Sequence, residues 1–288
     1  MKIYYRIKRV LKLFRLELRR IQAARRWGKD AINTAPPIFG NAIPKAGSHL
    51  LIQILYGLTE IGPFINPGFP PVNRFEDNSA QEIPVIINEI TKMRSGEIRY
   101  GYFHSEEPYI SAVTTPGRAT IFIYRDPRDQ LVSHVFYATD IHKGHGMHEY
   151  YNNVLTSVEE RLNVGIEGCQ IPGLEYPSVR KRYEDFLGWF EEENVLCLKF
   201  EDILLDQENT FGTLLDYLES FGVSFSVSRS EAIKVLSDAI KPKKSGTFRK
   251  GQPGNWRTHF TEDNKRRFKA VAGDLLTTLG YEDSDQYW

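Results

Sequence analysis

Residues 38–58, IFGNAIPKAGSHLLIQILYGL, decide the fold class. Residues 38–43 are an apolar run of strand length, and Pro44 ends it because proline lacks the N–H that a central strand needs. Residues 49–58 carry the dense apolar spacing of a helix buried against a sheet, which leaves Lys45 to Ser48 as the turn between strand and helix. The same punctuation recurs twice. Residues 119–124 form a continuous apolar strand running into Arg125-Asp126-Pro127-Arg128-Asp129, with residues 128–138 helical; residues 195–200 form another strand, followed by Glu201-Asp202 and a helix near 208–220. A helix near 83–93 leads to a further strand at 99–104. Strands alternating with helices predict an α/β fold with a mostly parallel central sheet flanked by helices on both faces, and ligands in the crevice at the strands' carboxyl ends.

The 288 residues, 41% of them hydrophobic, suit one large domain. The 37 basic and 37 acidic side chains cancel, so nothing global points to nucleic acid. Their distribution is uneven: residues 1–30 hold eleven Lys/Arg against only Glu17 and Asp30, and the rest of the chain is correspondingly acidic. Ile3, Val10, Leu11, Phe14, Leu18 and Ile21 recur near helical spacing among those cations, which predicts a basic amphipathic helix over residues 3–27. We therefore expect a basic N-terminal extension over 1–35 and a main domain over 36–288. The helix either packs on the body, docks on an anionic membrane surface or meets a partner. Cys169 and Cys197 stand in unrelated contexts without CxxC spacing, so neither a disulfide framework nor a metal site is expected. With no apolar leader or roughly 18-residue spanning segment in view, a cytoplasmic protein is expected, with peripheral membrane contact through residues 1–30 as its one membrane option.

Three segments carry cations, hydroxyls and glycines to strand ends and loops: Pro44-Lys45-Ala46-Gly47-Ser48; Tyr124 to Asp129 with Ser133 behind it; and Phe248-Arg249-Lys250-Gly251 leading to Gly254-Asn255-Trp256. The first resembles a phosphate-binding loop only in outline, because its lysine precedes the glycine and the GxxxxGK[ST] order is missing. Gly47 would let backbone approach a phosphate, Ser48 would add a hydroxyl and a helix-start N–H, and Lys45 a point charge. Arg125 stands at the end of an apolar strand as a planar fork donor, and Ser133, about two helical turns on, could face the same anion. Each segment alone has a plain structural reading: a tight turn with a surface lysine, an Arg–Asp pair in which Asp126, Arg128 and Asp129 act as cap and surface ion pairs, and a solvated basic loop. Together they point to a ligand with several anionic groups.

The order PKxGS, YRxPRDxxxS, FRKGxxGxW resembles the sulfotransferases that use 3′-phosphoadenosine 5′-phosphosulfate (PAPS), particularly the cytosolic type, over roughly residues 38–270. The resemblance implies a three-layer fold like that of the P-loop nucleotide-binding proteins. It also implies transfer of a sulfuryl group to an acceptor hydroxyl or amine, leaving adenosine 3′,5′-bisphosphate (PAP), without a metal. Carried over to matching positions, it assigns Lys45, Gly47, Ser48 and His49 to the 5′-phosphosulfate and Leu50 to the adenine side. Arg125, Ser133, Arg249, Lys250 and Gly251 go to the 3′-phosphate, with Phe200 and Phe248 near the base. His104 falls where the family places its general base, and Lys45 where it places the cation on the departing phosphate.

The chain departs from that pattern in places. Tyr102 stands where a lysine commonly precedes the catalytic histidine, and His104-Ser105-Glu106 replaces the usual His-Leu-Pro, so Glu106 or Glu107 is the reserve base. The dimer signature of animal cytosolic members is absent after Trp256. The Pro/Gly-rich loop at 62–71 and the aromatics Phe64, Phe69, Phe75, Tyr100, Tyr102, Tyr109 and Tyr137 are candidates for the acceptor pocket, which would take a small-molecule, lipid or carbohydrate acceptor. The competing readings are a nucleotide-dependent kinase and a non-catalytic nucleotide-binding module.

Overall fold

Four of the apolar stretches pair side by side in one parallel sheet. The computed structural model describes residues 2–68, 71–74, 79–241 and 252–284. In chain order the elements are α1 (Lys2–Trp27), α2 (Lys29–Thr34), β1 (Ile38–Ala42), α3 (Ser48–Ile61), α4 (Ile83–Thr91), β2 (Ile98–Gly101), α5 (Tyr109–Val113), β3 (Ala119–Tyr124) and α6 (Pro127–Phe136). A π-helical turn (Tyr137–Ile141) follows, then α7 (His148–Asn153), α8 (Val158–Glu167), β4 (Cys169–Ile171), β5 (Leu174–Tyr176), α9 (Val179–Leu187) and β6 (Val195–Lys199). The chain ends with α10 (Phe200–Leu205), α11 (Gln207–Ser220), α12 (Arg229–Ala239) and α13 (Glu262–Thr278).

The sheet order is β2-β1-β3-β6, all parallel. From β1 the chain first adds a strand on one side and then crosses to the other, so the topological switch lies at the carboxyl end of β1, where such sheets bind ligands. Alternation along β3 divides the core into two layers. Ile121 and Ile123 pack with α3, α11 and α12 on one face, while Phe122 and Tyr124 pack with α6, α8, α9 and α13 on the other. Both faces are covered, which explains why the strands read as apolar runs rather than alternating ones.

Two expectations need correction. The strand drawn over 99–104 stops at Gly101. The buried Asn41 side chain takes both backbone groups of Phe103, donating to its carbonyl at 3.0 Å and accepting from its N–H at 2.9 Å, and Trp189 Nε1 donates to the same carbonyl at 2.9 Å. These side-chain bonds replace a strand ladder and turn the chain off the sheet before His104. The β4–β5 hairpin was not foreseen, because its strands are only three residues each, joined at Gly173 in the left-handed region.

Candidate active site

At the end of β1, Pro44 and Lys45 turn the chain, with Lys45 at φ 69° and Gly47 at φ 105°. Gly47 is required here: besides its left-handed backbone, a β-carbon would collide with the Phe200 ring. No side chain caps α3, which begins at Ser48; the Leu50 and Leu51 N–H groups turn back to the Gly47 carbonyl at 2.8 and 3.1 Å, and the Ser48 and His49 N–H groups are the ones at the helix start that face no such partner among the described residues. Gln130 Nε2 donates to the Pro44 carbonyl at 3.0 Å and thereby ties this loop to α6.

At the end of β3 the two acid–base pairs divide the work. Asp126 caps α6 by accepting from the Arg128 N–H at 2.9 Å, and Arg128 is bound to Asp126 and Glu282 while its guanidinium lies 4.2 Å from the Trp256 ring centre. Both are buried, so the expected surface ion pair is instead an internal strut. Arg125 and Asp129 face the other way, 3.6 Å apart, and line the central cavity. Arg125 stacks 4.1 Å from the Phe200 ring centre, the Tyr183 hydroxyl holds its carbonyl at 2.9 Å, and its Nε is buried without a partner. Its guanidinium is thus a planar cation held in place by packing at the cavity wall.

Asp129 is the residue the sequence reading missed. Rather than forming a surface pair, it accepts from the backbone N–H groups of Gly254 and Trp256, both at 2.8 Å. It thereby fastens the C-terminal loop to α6. Burial pushes its carboxyl upward, opposed by Arg125 and the two N–H groups. The only signal in the sequence was an acid one helical turn after Arg125. Phe248, Arg249, Lys250 and Gly251 lie outside the described residues, but the clamped segment just beyond them contributes Gln252 and Asn255 to the cavity.

The cavity measures about 560 Å³ and brings Lys45, Gly47, Ser48, His49, Leu50, Arg125, Ser133 and Phe200 to one space. Burial and then the charge of Arg125 push the Lys45 ammonium down to about 8. Its Nζ rests 3.7 Å from the centre of the Tyr137 ring. Desolvation and then Lys45 hold His49 below its usual range.

His104 is not brought to this cavity. Half-exposed, it packs edge-on against Phe186 at 4.9 Å, with Nδ1 3.8 Å from Glu106 and 3.9 Å from Asp185. Glu107 accepts from Ser111 on the same outer surface. Tyr102 lines the cavity instead, its hydroxyl hydrogen-bonded to Ser48 and its acidity weakened by burial. Of the aromatic candidates, Tyr100, Tyr102 and Tyr137 line the space; Phe64 is in the core, Tyr109 stacks on Phe103, and Phe69 and Phe75 lie outside the described residues.

Three histidines complete the wall beyond Tyr137: His134, His142 and His145. His145 Nδ1 accepts the Met147 N–H at 3.1 Å, so its proton sits on Nε2, and burial followed by His142 and Lys45 keeps the ring neutral. His134 is 3.0 Å from the Tyr176 hydroxyl, which Arg182 also contacts, and burial drives it well below its usual range. His142 has its ring centre 5.3 Å from that of Tyr137 and a buried Nδ1 without a hydrogen-bond partner. Among the described residues no three such side chains are arranged to hold a metal ion.

A family model described as a sulfotransferase domain matches residues 37–280. The chain is 26% identical over 165 residues to sulfotransferase 2A1 of Rattus norvegicus, covering 52% of this chain and 54% of that protein. It is 25% identical over 165 residues to the 3-alpha-hydroxysteroid sulfotransferase of Cavia porcellus, covering 52% and 53%. These alignments span about half the length of the curated relatives. Among solved structures, a mouse sulfotransferase, SULT7A1, complexed with PAP is similar in fold, with a TM-score of 0.58 and 18% identity over 89% of this chain and 90% of that one.

Proposed function

Because the chain belongs to the sulfotransferase domain family, we propose that it moves a sulfuryl group from PAPS to a hydroxyl or amine of a small-molecule acceptor. The observation that carries the reading is the shared cavity: the uncapped start of α3 with Lys45 and Ser48, and Arg125 and Ser133 from the end of β3 and from α6, line one space. Two anionic groups on one ligand fit these two groups of cations and donors, and the Arg125 guanidinium, which lines the cavity, supplies the planar fork for the second.

When bound, PAPS supplies the sulfuryl group and leaves as PAP. Lys45, Ser48 and the Ser48 and His49 N–H groups at the start of α3 hold the 5′ side and offset negative charge there, which is positioning and electrostatic stabilisation rather than covalent catalysis. Arg125 and Ser133 hold the 3′ side, joined in this proposal by Arg249, Lys250 and Gly251. Phe200 and Leu50 offer apolar surface for the base, with Phe248 added from the third segment. Tyr102 donates through its buried hydroxyl beside Ser48. A histidine takes the acceptor's proton. His104 has the motif position, whereas His142 lines the cavity, which supports His142 as that base.

The acceptor wall of Tyr100, Tyr137, Ile141, His142 and His145 combines ring faces with hydrogen-bonding edges, which suits a sugar or a lipid headgroup better than a wholly apolar molecule. A cytoplasmic setting belongs to the same proposal, supported by Cys169 and Cys197 standing as free thiols. The test is an acceptor panel incubated with PAPS, read by mass gain of the acceptor and release of PAP. A PAP-binding protein that turns over no member of broad hydroxyl and amine panels would instead be a nucleotide-binding module.

A further inference from the structure

Helix α1 meets the body on one side only. Leu16 and Ala23 are buried there with Ile32 and Ile65. Arg19 donates to the Pro67 carbonyl at 2.7 Å, Arg20 to the Ser95 carbonyl at 3.0 Å, and Arg26 to the Glu60 carboxylate at 2.8 Å. With 3.6 residues per turn, Leu11, Phe14, Leu18 and Ile21 fall within an arc of about 80° roughly opposite Leu16 and Ala23. These four are 47%, 60%, 44% and 48% exposed. With Leu13 they make up five of the ten large apolar side chains that lie exposed among the described residues, so the apolar surface of this protein is concentrated on one helix.

We propose that this outward face of α1 docks on an anionic lipid bilayer, with the helix lying flat in the headgroup region. Charge selects the occupant. The first thirty residues hold eleven Lys/Arg and two acids, and Arg15 and Arg25 beside the apolar stripe are exposed and make no ion pair among the described residues. An apolar stripe flanked by unpaired cations gains from acyl burial and from the negative surface potential together, which neither a neutral membrane nor an apolar protein groove provides. The stripe is straight and about 15 Å long from Leu11 to Ile21, and it stands proud on an element fixed by its opposite side, as a planar partner requires. No helix among the described residues is long and apolar enough to cross a membrane, so α1 lies on the surface.

The test uses the full chain and vesicles of phosphatidylcholine, alone or with roughly one-third phosphatidylglycerol, sedimented at about 0.1 M and about 1 M salt. Binding to the anionic vesicles, little to the neutral ones, and release at high salt are expected. A variant with Leu11→Ser, Phe14→Ser, Leu18→Ser and Ile21→Ser should lose binding about tenfold or more while melting as the wild type does, since none of the four is buried. Arg15→Glu with Arg25→Glu should abolish the preference for anionic vesicles and leave the apolar stripe intact. No sedimentation of the intact chain with anionic vesicles overturns the proposal, as does equal binding by the fourfold variant. Light scattering that shows a dimer, broken by the fourfold variant and unaffected by vesicles, also overturns it and assigns the face to a second copy. PAP binding is read separately, so failure here leaves the sulfotransfer reading untouched.

Discussion

Replacing Asp129 by alanine should loosen the C-terminal loop and destabilise the protein together. The carboxylate accepts two backbone N–H groups at 2.8 Å and lies 3.6 Å from Arg125; Asp129, Arg125 and Trp256 are buried and Gly254 half-buried. Hydrogen bonds to a charged group contribute about 1.5–3 kcal/mol each. Part of that is offset by the cost of burying the carboxylate, which also pushes its proton affinity upward. Alanine removes the acceptor but leaves the buried Trp256 N–H, the half-buried Gly254 N–H and a buried guanidinium without it, so the net loss should be about 2–4 kcal/mol. At roughly 2–3 °C per kcal/mol for a chain of this size, the melting temperature should fall by about 5–10 °C. Asparagine can accept through Oδ1 but presents an NH₂ to the second N–H, and should lose about half as much. Calorimetry of the free protein measures the loss, and hydrogen exchange at Gly254 and Trp256 localises it. A melting temperature for Asp129→Ala within about 1 °C of wild type, with the two amides still protected, would refute the clamp.

Lys45 gives a pH prediction whose sign follows from its depressed proton affinity. Between about 8 and 10.5 the folded, ligand-free protein holds fewer protons at this site than the unfolded chain, so this group makes stability rise with pH across that window. PAP affinity should do the opposite, weakening about tenfold from pH 7 to 9 as the ammonium is lost, and Lys45→Arg should flatten the titration measured by calorimetry. Arg125→Ala should weaken PAP binding roughly a hundredfold by equilibrium titration, and Arg125→Lys should recover only part, because an ammonium cannot reproduce the fork or its stacking on Phe200. His142→Ala should lower turnover by about 10²–10⁴ with PAP affinity within about twofold, while His104→Ala leaves turnover nearly intact. The reverse pattern in steady-state kinetics would return the base to His104.

The sheet was legible because buried parallel strands are continuous apolar runs, and because Pro44 and Pro127 mark their ends in the sequence. The loop at Lys45 to Ser48 and the strand-end position of Arg125 were legible for the same reason: both are local. What escaped depends on partners far along the chain. Nothing near residue 103 announces that Asn41 and Trp189 will take its backbone bonds, ending the strand before His104, which does not line the cavity. Asp129 reads as one acid in a charged run until Gly254 and Trp256, 125 and 127 residues away, arrive as donors. The part of the histidine wall at His142 and His145 was invisible because residues 142–147 carry no strand or helix period, and only folding brings them to the same cavity as Lys45.

The account rests on one cavity with two anion-holding groups of residues, and calorimetric titration with three ligands tests it most directly. On the proposed reading adenosine 3′,5′-bisphosphate should engage both groups of residues, whereas adenosine 5′-monophosphate and adenosine 3′-monophosphate should each engage one. The account predicts that the bisphosphate binds on the order of a hundredfold more tightly than either monophosphate, with Arg125→Ala erasing its advantage over the 5′ compound. Equal affinities for the three, or tighter binding of ATP with magnesium than of the bisphosphate, would contradict it.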